Sequence, residues 1–301
     1  MTLVLAWIRK VGITEELCIA SDSRVTSGKA WDCCPKIKPL DRKDSVLAFA
    51  GDTAYAYPMM EQASNAINFH PKLNTRALDI TDLNGHISRV ISNMREYLHD
   101  SIQPHKQFVP ELPETQYLFA GYSWKYSKFM MWRLEYKKNK NAFIPMVCPT
   151  LMKNQLVVLV DTTQNKEFDG RKLNENLVRR RIFLKMVEKG KSPGDFFDME
   201  PFEILRDIIR NDDDWAIGGT PQLIKVYKHL NHMPYGIFWP NKASHQITIM
   251  GRPILNYETF RNPVIDPDTF EKVYMKINND SEFAITSDDG KFDKYREIKD
   301  L

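Results

Sequence analysis

The chain holds 301 residues, 43% of them apolar and 27% charged, with 42 basic against 39 acidic side chains and a formal net charge of +3. That length supports a substantial buried core, and so even a charge balance argues against a nucleic-acid coat or a polybasic membrane binder. No apolar run approaches the roughly 20 residues that span a bilayer. The stretch from Leu3 to Ile8 leads into Arg9 and Lys10 without a small-residue cleavage site, so it does not read as a signal peptide, and the expected location is the cytoplasm. Cys18, Cys33, Cys34 and Cys148 offer no CxxC spacing, and a bridge between the adjacent Cys33 and Cys34 would close a strained ring. Neither a disulfide framework nor a zinc site is expected.

In chain order, residues 3–8, 16–21 and 45–50 are short apolar runs that suggest three strands of an antiparallel meander. Thr53 is placed to cap a helix over about 54–68, and a second helix is expected over about 83–102, with Ile87, Val90, Ile91, Met94, Leu98 and Ile102 along one apolar stripe. A proline-bearing loop through Pro104, Pro110 and Pro113 leads to a hairpin of 116–122 and 128–136, then a strand at 155–160. Helices are expected over about 173–189 and 200–210, the first carrying Arg179, Arg180 and Arg181, whose ordinary reading is a solvated helix face. A short helix over about 221–230 and strands at 235–239 and 246–250 follow. This order predicts helices layered on antiparallel sheets rather than repeating βαβ units.

Chemistry enters at Thr2. A small second residue normally permits removal of Met1, which exposes a threonine whose hydroxyl and free α-amino group form nucleophile and base within one residue. An α-amino group titrates near neutrality, at roughly 7.7 to 8.0, so a useful fraction can accept the hydroxyl proton. Many proteins begin Met-Thr, so Thr2 gains meaning from its companions. Asp22 stands in Ala20-Ser21-Asp22-Ser23-Arg24, Lys36 in Cys34-Pro35-Lys36-Ile37, and Gly51 in Ala50-Gly51-Asp52, where a strand gives way to a helix.

With these residues the sequence resembles the proteasome-like family of N-terminal nucleophile hydrolases. The likeness rests on an N-terminal Thr opening a strand, a second strand ending in A-[AS]-D-S-R, a Lys followed by an aliphatic residue, and a strand ending in A-G before the first helix. The hairpin containing Leu118-Phe119-Ala120-Gly121-Tyr122 and the string Ala216-Ile217-Gly218-Gly219 resemble later parts of that frame, which covers roughly residues 2–136 and 215–250. The resemblance implies an α+β, four-layer αββα sandwich. It implies a threonine-type peptidase that works without metal or organic cofactor and cleaves peptide or protein through an acyl-enzyme on Thr2. Lys36 would ease formation of the alkoxide, Asp22 would fix and neutralise Lys36, and the Gly51 amide would bind the oxyanion. Arg24 would support the turn carrying Asp22. A homo-oligomeric ring or stack, with an unfoldase or regulatory partner, is implied in the same way.

The chain also departs from the family pattern. Gly219, followed by Thr220, stands where the family places a Ser near the nucleophile, which leaves Thr220 as a candidate to orient the α-amino group. The family's late Asp and its partner Ser have no match between Leu230 and Pro253. Two other readings therefore stand beside the peptidase: a proteasome-like structural or regulatory subunit without activity, and an amidohydrolase acting on a small amide. The expected organisation is one hydrolase domain over 2–250 with an inserted helical segment at about 161–212, then a C-terminal extension over 251–301 punctuated by Pro253, Pro263 and Pro267. The seven histidines show no HExxH, and Asp212-Asp213-Asp214 lacks EF-hand spacing. Cys33 and Cys34 lie close to Lys36, as reactive thiols or as small buried residues.

Overall fold

A computed structural model describes residues 2–26, 29–97, 115–148, 155–161, 173–192, 194–277, 283–287 and 292–294. The chain is a mixed α+β protein whose sheets are antiparallel except where two strands near the C-terminus pair in parallel. β1 (Leu3–Val11) and β2 (Thr14–Ser21) form the expected hairpin, and β2 continues into β11 (Gln222–Tyr227) and β12 (Asn231–Phe238). β10 (Leu156–Val160) pairs with the other edge of β1, Leu3 opposite Val160. β13 (Ile247–Ile249) and β14 (Arg252–Pro253) branch from β12, which also pairs in parallel with β15 (Val264–Ile265). β16 (Lys272–Ile277), β17 (Phe283–Ser287) and β18 (Phe292–Lys294) extend this sheet to eleven strands.

A second sheet of five strands runs in sequence order: β5 (Ile37–Pro39), β6 (Ser45–Gly51), β7 (Thr115–Ser123), β8 (Lys128–Lys137) and β9 (Ala142–Val147). A two-stranded ribbon, β3 (Val25–Thr26) with β4 (Ala30–Trp31), sits in the loop between them. The third apolar run of the sequence, β6, therefore belongs to a different sheet from β1 and β2, and these three runs do not form one meander. The reason is visible in its neighbours: β6 finds its full register along β7, seven residues from Ser45–Gly121 to Gly51–Thr115.

Side chains alternate along each strand, and here both faces are covered. Leu3, Leu5 and Trp7 of β1 pack with Val178, Ile182 and Met186 of α4 (Glu175–Glu188) and with Phe202, Leu205 and Ile208 of α5 (Glu200–Asn211). Val4, Ala6 and Ile8, on the opposite face, join Val46 and Ala48 of β6, Leu118 and Ala120 of β7 and Met131 of β8 in a cluster drawn from both sheets. The other face of the five-stranded sheet, with Leu47, Phe49, Tyr117, Phe119 and Leu134, packs under α1 (Thr53–Asn68) and α3 (Ile80–Met94). A short α2 (Pro71–Asn74) connects those helices. Burial on two faces explains why β1 and β6 read as unbroken apolar runs rather than alternating ones.

Several expectations for single elements need correction. The helix expected over 221–230 is instead the strand β11, central in its sheet between β2 and β12. Ala216-Ile217-Gly218-Gly219 consequently precedes a strand and not a helix. Asp52, not Thr53, caps α1, its carboxylate accepting from the Ala54 amide at 2.9 Å. The second helix ends at Met94, with a 3₁₀ turn to Tyr97, and residues 98–102 of the expected stripe lie outside the described residues. The arginine triplet is not simply a solvated face: Arg179 donates to the Leu156 carbonyl and Arg181 pairs with Asp213. The segment read as an inserted helical piece contributes α4 and α5, which cover the face carrying Leu3, Leu5 and Trp7. The segment read as an extension beyond residue 250 supplies β15 and β16 to the sheet, puts Ile265 into the α5 core, and ties Asp268 to Arg210.

Candidate functional site

Thr2 is buried at the entrance to β1, and its carbonyl accepts from the Asp161 amide at 3.1 Å. The β1–β10 register, Leu3 opposite Val160, places Thr2 opposite Asp161, the residue immediately after β10. Val4, Ala6 and Ile8 of β1 and Val157 and Leu159 of β10 face the inter-sheet cluster. The two-residue period assigns Thr2 and Asp161 to that same face, at the end of the two strands.

Asp22, just past β2, is fully buried and is the hub of the site. Its Oδ1 accepts from the Leu3 amide at 3.1 Å and from Lys36 Nζ at 2.9 Å. Its Oδ2 accepts from Lys36 Nζ at 2.9 Å and from the amides of Arg24 and Gly218, each at 3.2 Å. One carboxylate thus ties together the start of β1, the turn after β2, the segment before β11 and a buried ammonium. The two contacts that meet at Oδ1 hold the ammonium within about 6 Å of the peptide joining Thr2 to Leu3. Lys36 is likewise fully buried, and burial pulls its pKa below the ordinary lysine value, against the opposing pull of Asp22 and, more weakly, Asp161.

Buried ion pairs recur in this molecule. Arg42 pairs with Asp44 at 2.7 Å and Lys225 with Glu16 at 2.6 Å, the first of them also gripping the carbonyls of Leu73 and Leu78. Burial of a pair is therefore not by itself a mark of chemistry. Lys36–Asp22 differs because its carboxylate also holds the first peptide after Thr2.

Gln222 was not singled out in the sequence, yet it locks the site together. Its amide nitrogen donates to the carbonyls of Asp22 at 3.2 Å and Cys34 at 2.8 Å, and its oxygen accepts from the Lys36 amide at 3.1 Å. A strand reading of 222–227 would have flagged it as a polar residue on a buried face opposite Ser21. Ser23 was also missed. Its hydroxyl donates to the Asp32 carbonyl at 2.6 Å and accepts from the Thr220 amide at 2.7 Å.

The remaining candidates divide. Arg24 is committed to structure: its guanidinium donates to both Asp32 oxygens, at 2.6 and 3.1 Å, and to the Trp215 carbonyl at 2.9 Å. Gly219 has φ +73°, and a Cβ there would collide with the Asp32 carbonyl and the Ser23 hydroxyl, so no serine fits at that position. Thr220 is joined to the site through its backbone; its hydroxyl oxygen is buried without a hydrogen-bond partner. Gly51 ends β6 with φ +122°, two residues after Phe49, whose amide donates to the Lys36 carbonyl at 3.3 Å. The next residue, Asp52, caps α1, so the glycine lies just ahead of a helix N-terminus. Cys33 is exposed, while Cys34 is half-buried and faces Tyr57 of α1; burial raises the pKa of both the Cys34 thiol and the Tyr57 phenol.

Among the described residues, no group of three or more His, Cys, Asp or Glu side chains is arranged to hold a metal ion, and no helix is long and apolar enough to cross a membrane. No protein-family model matches this sequence, and comparison with curated proteins returned no match.

Proposed function

We propose that this protein is an N-terminal threonine hydrolase of the proteasome-like kind, most plainly a peptidase, built as a four-layer αββα sandwich. The layered reading draws support from three core clusters: α4 and α5 against one sheet, the two sheets against each other, and α1 and α3 against the other sheet. The functional reading rests on one observation: Asp22 holds the Lys36 ammonium and the Leu3 amide on the same carboxylate oxygen.

In this proposal Met1 is removed and the Thr2 α-amino group takes the proton of the Thr2 hydroxyl, which attacks an amide carbonyl. The Lys36 charge lowers the energy of the developing alkoxide, and Asp22 keeps that charge in place. The Gly51 amide, at the mouth of α1, receives the oxyanion. Collapse of the tetrahedral intermediate passes the proton to the departing amine and leaves an ester on Thr2, which water hydrolyses to regenerate the hydroxyl. No residue in this sequence of steps requires a cofactor. Assembly into a homo-oligomer, and any unfoldase partner, belong to the same proposal and are read by native mass measurement. Fluorogenic peptides test the activity: turnover by the wild type that disappears in Thr2→Ala supports it, and equal turnover in both overturns it. Hydrolysis of small amides but not peptides would assign the substrate to the smaller class.

A further inference from the structure

The direction of the backbone at Thr2 identifies a residue that the sequence did not. Successive amides of a strand point to opposite sides. The Leu3 amide points toward β2, where Asp22 accepts it. The Thr2 nitrogen therefore points the other way, toward β10. There the Asp161 amide already donates to the Thr2 carbonyl at 3.1 Å, which makes Thr2 and Asp161 a hydrogen-bonded antiparallel pair. Residues directly opposite in such a pair carry their Cβ atoms about 4.5–5.5 Å apart on one face of the sheet, within reach of a carboxylate. Asp161 is 6% exposed, and its charge acts on Lys36.

We propose that Asp161 is the positioning residue for the Thr2 α-amino group, its carboxylate holding the amine toward β10 and beside the Thr2 hydroxyl. This rests on the threonine-hydrolase reading and supplies the orienting group that Gly219 cannot. It also answers an electrostatic problem. The Lys36 ammonium, which favours the alkoxide, equally disfavours protonation of a neighbouring amine; a second carboxylate restores the amine as a proton acceptor. The titratable groups whose charges act on Lys36 are Asp22 from the end of β2, Cys34 from the segment before β5 and Asp161 from the end of β10, while Asp22, Cys34 and Cys33 act on Tyr57 of α1. Asp161 is the one directly across the ladder from Thr2.

The test uses the full chain, with loss of Met1 established by intact mass, as wild type, Asp161→Asn and Asp161→Ser. Competitive labelling with acetic anhydride across pH gives the titration midpoint of the Thr2 amine, and fluorogenic tripeptides give kcat and KM. In either folded variant the midpoint moves down by about one pH unit, the acidic limb of kcat moves with it, and kcat falls at least about tenfold while KM changes less than about twofold. Asp161→Glu, which keeps the charge, returns the midpoint toward wild type. An unchanged midpoint in the Asn and Ser variants overturns the proposal, even where their activity falls. A shifted midpoint in a protein with no hydrolytic activity supports the Asp161 assignment while the hydrolase reading fails. Turnover with an unshifted midpoint removes Asp161 alone, and retention of Met1 overturns both.

Discussion

Replacing Asp22 by Asn changes one oxygen into an NH₂ group at a point where five hydrogen-bond contacts converge. The least costly placement turns the NH₂ to the Oδ1 side, which leaves the Arg24 and Gly218 amides and one Lys36 contact satisfied. The Leu3 amide then loses its acceptor, and the buried Lys36 ammonium loses its counterion. An orphaned buried amide costs roughly 1–3 kcal/mol, and breaking a buried pair by removing one partner roughly 3–5 kcal/mol. The two do not simply add, because Lys36 can escape by releasing its proton, as burial already favours. The expected loss is about 3–5 kcal/mol, or roughly 5–8 °C in Tm for a chain of this length. Urea denaturation at pH 7 of Asp22→Asn, Lys36→Met and the double variant measures it. The double variant should lose about 2 kcal/mol less than the sum of the singles, because the second change removes the partner that the first stranded. Activity should fall more than about hundredfold in Asp22→Asn, since Thr2 loses the peptide tether that fixes it. A loss under about 1 kcal/mol, or strict additivity, would refute the argument that this pair holds the site together.

Other consequences are as specific. Gly51→Ala places an L side chain at φ +122°, which should cost about 1–3 kcal/mol and, if the proposed oxyanion role holds, lower kcat about hundredfold by moving that amide; thermal melts and peptide turnover read both. Gln222→Leu removes three hydrogen bonds that bind Lys36, Cys34 and Asp22, with an expected loss of about 2–4 kcal/mol in urea unfolding. The pH dependence of stability carries the signature of Lys36. Its folded-state pKa lies below its ordinary value of 10.5, so between the two values the unfolded chain binds the extra proton and stability rises with pH; Lys36→Met should abolish that rise, as measured by urea midpoints from neutral pH to about 10. Truncation after residue 250 exposes the edge of β12 and removes Ile265 and the Arg210–Asp268 pair, and it should leave a chain without a cooperative melt.

The sequence was informative where structure follows from local pattern. β1, β2, β6 and the hairpin of β7 and β8 were legible because apolar residues buried on both faces make short continuous runs bounded by turns. The same property concealed β11. Its two-faced burial erases alternation, and Pro221 just ahead of the run reads as easily as the first residue of a helix as it does as a strand lead-in. Which sheet a run joins was not legible, since β6 follows β2 in the chain yet finds its long partner in β7, beyond the helices α1 and α3. The core of the candidate site, Thr2 with Asp22 and Lys36, came from spacing and resemblance. The residues that lock it came only from tertiary geometry. Gln222 is far from Asp22 in sequence, and Asp161 meets Thr2 only because β10 returns along β1. Gly219 was read as a departure at the nucleophile; in three dimensions it is a position where Asp32 and Ser23 leave no room for a side chain.

The central claim, that Thr2 is a free N-terminal nucleophile paired with its own amine, is tested most directly by intact-mass and peptide-mapping measurement after treatment with a peptide epoxyketone. That reagent closes a ring only with a hydroxyl and an adjacent free α-amine. The account predicts loss of Met1, one adduct per chain located on Thr2, and no adduct in Thr2→Ala. Retained Met1, or an adduct that persists in Thr2→Ala, would contradict it.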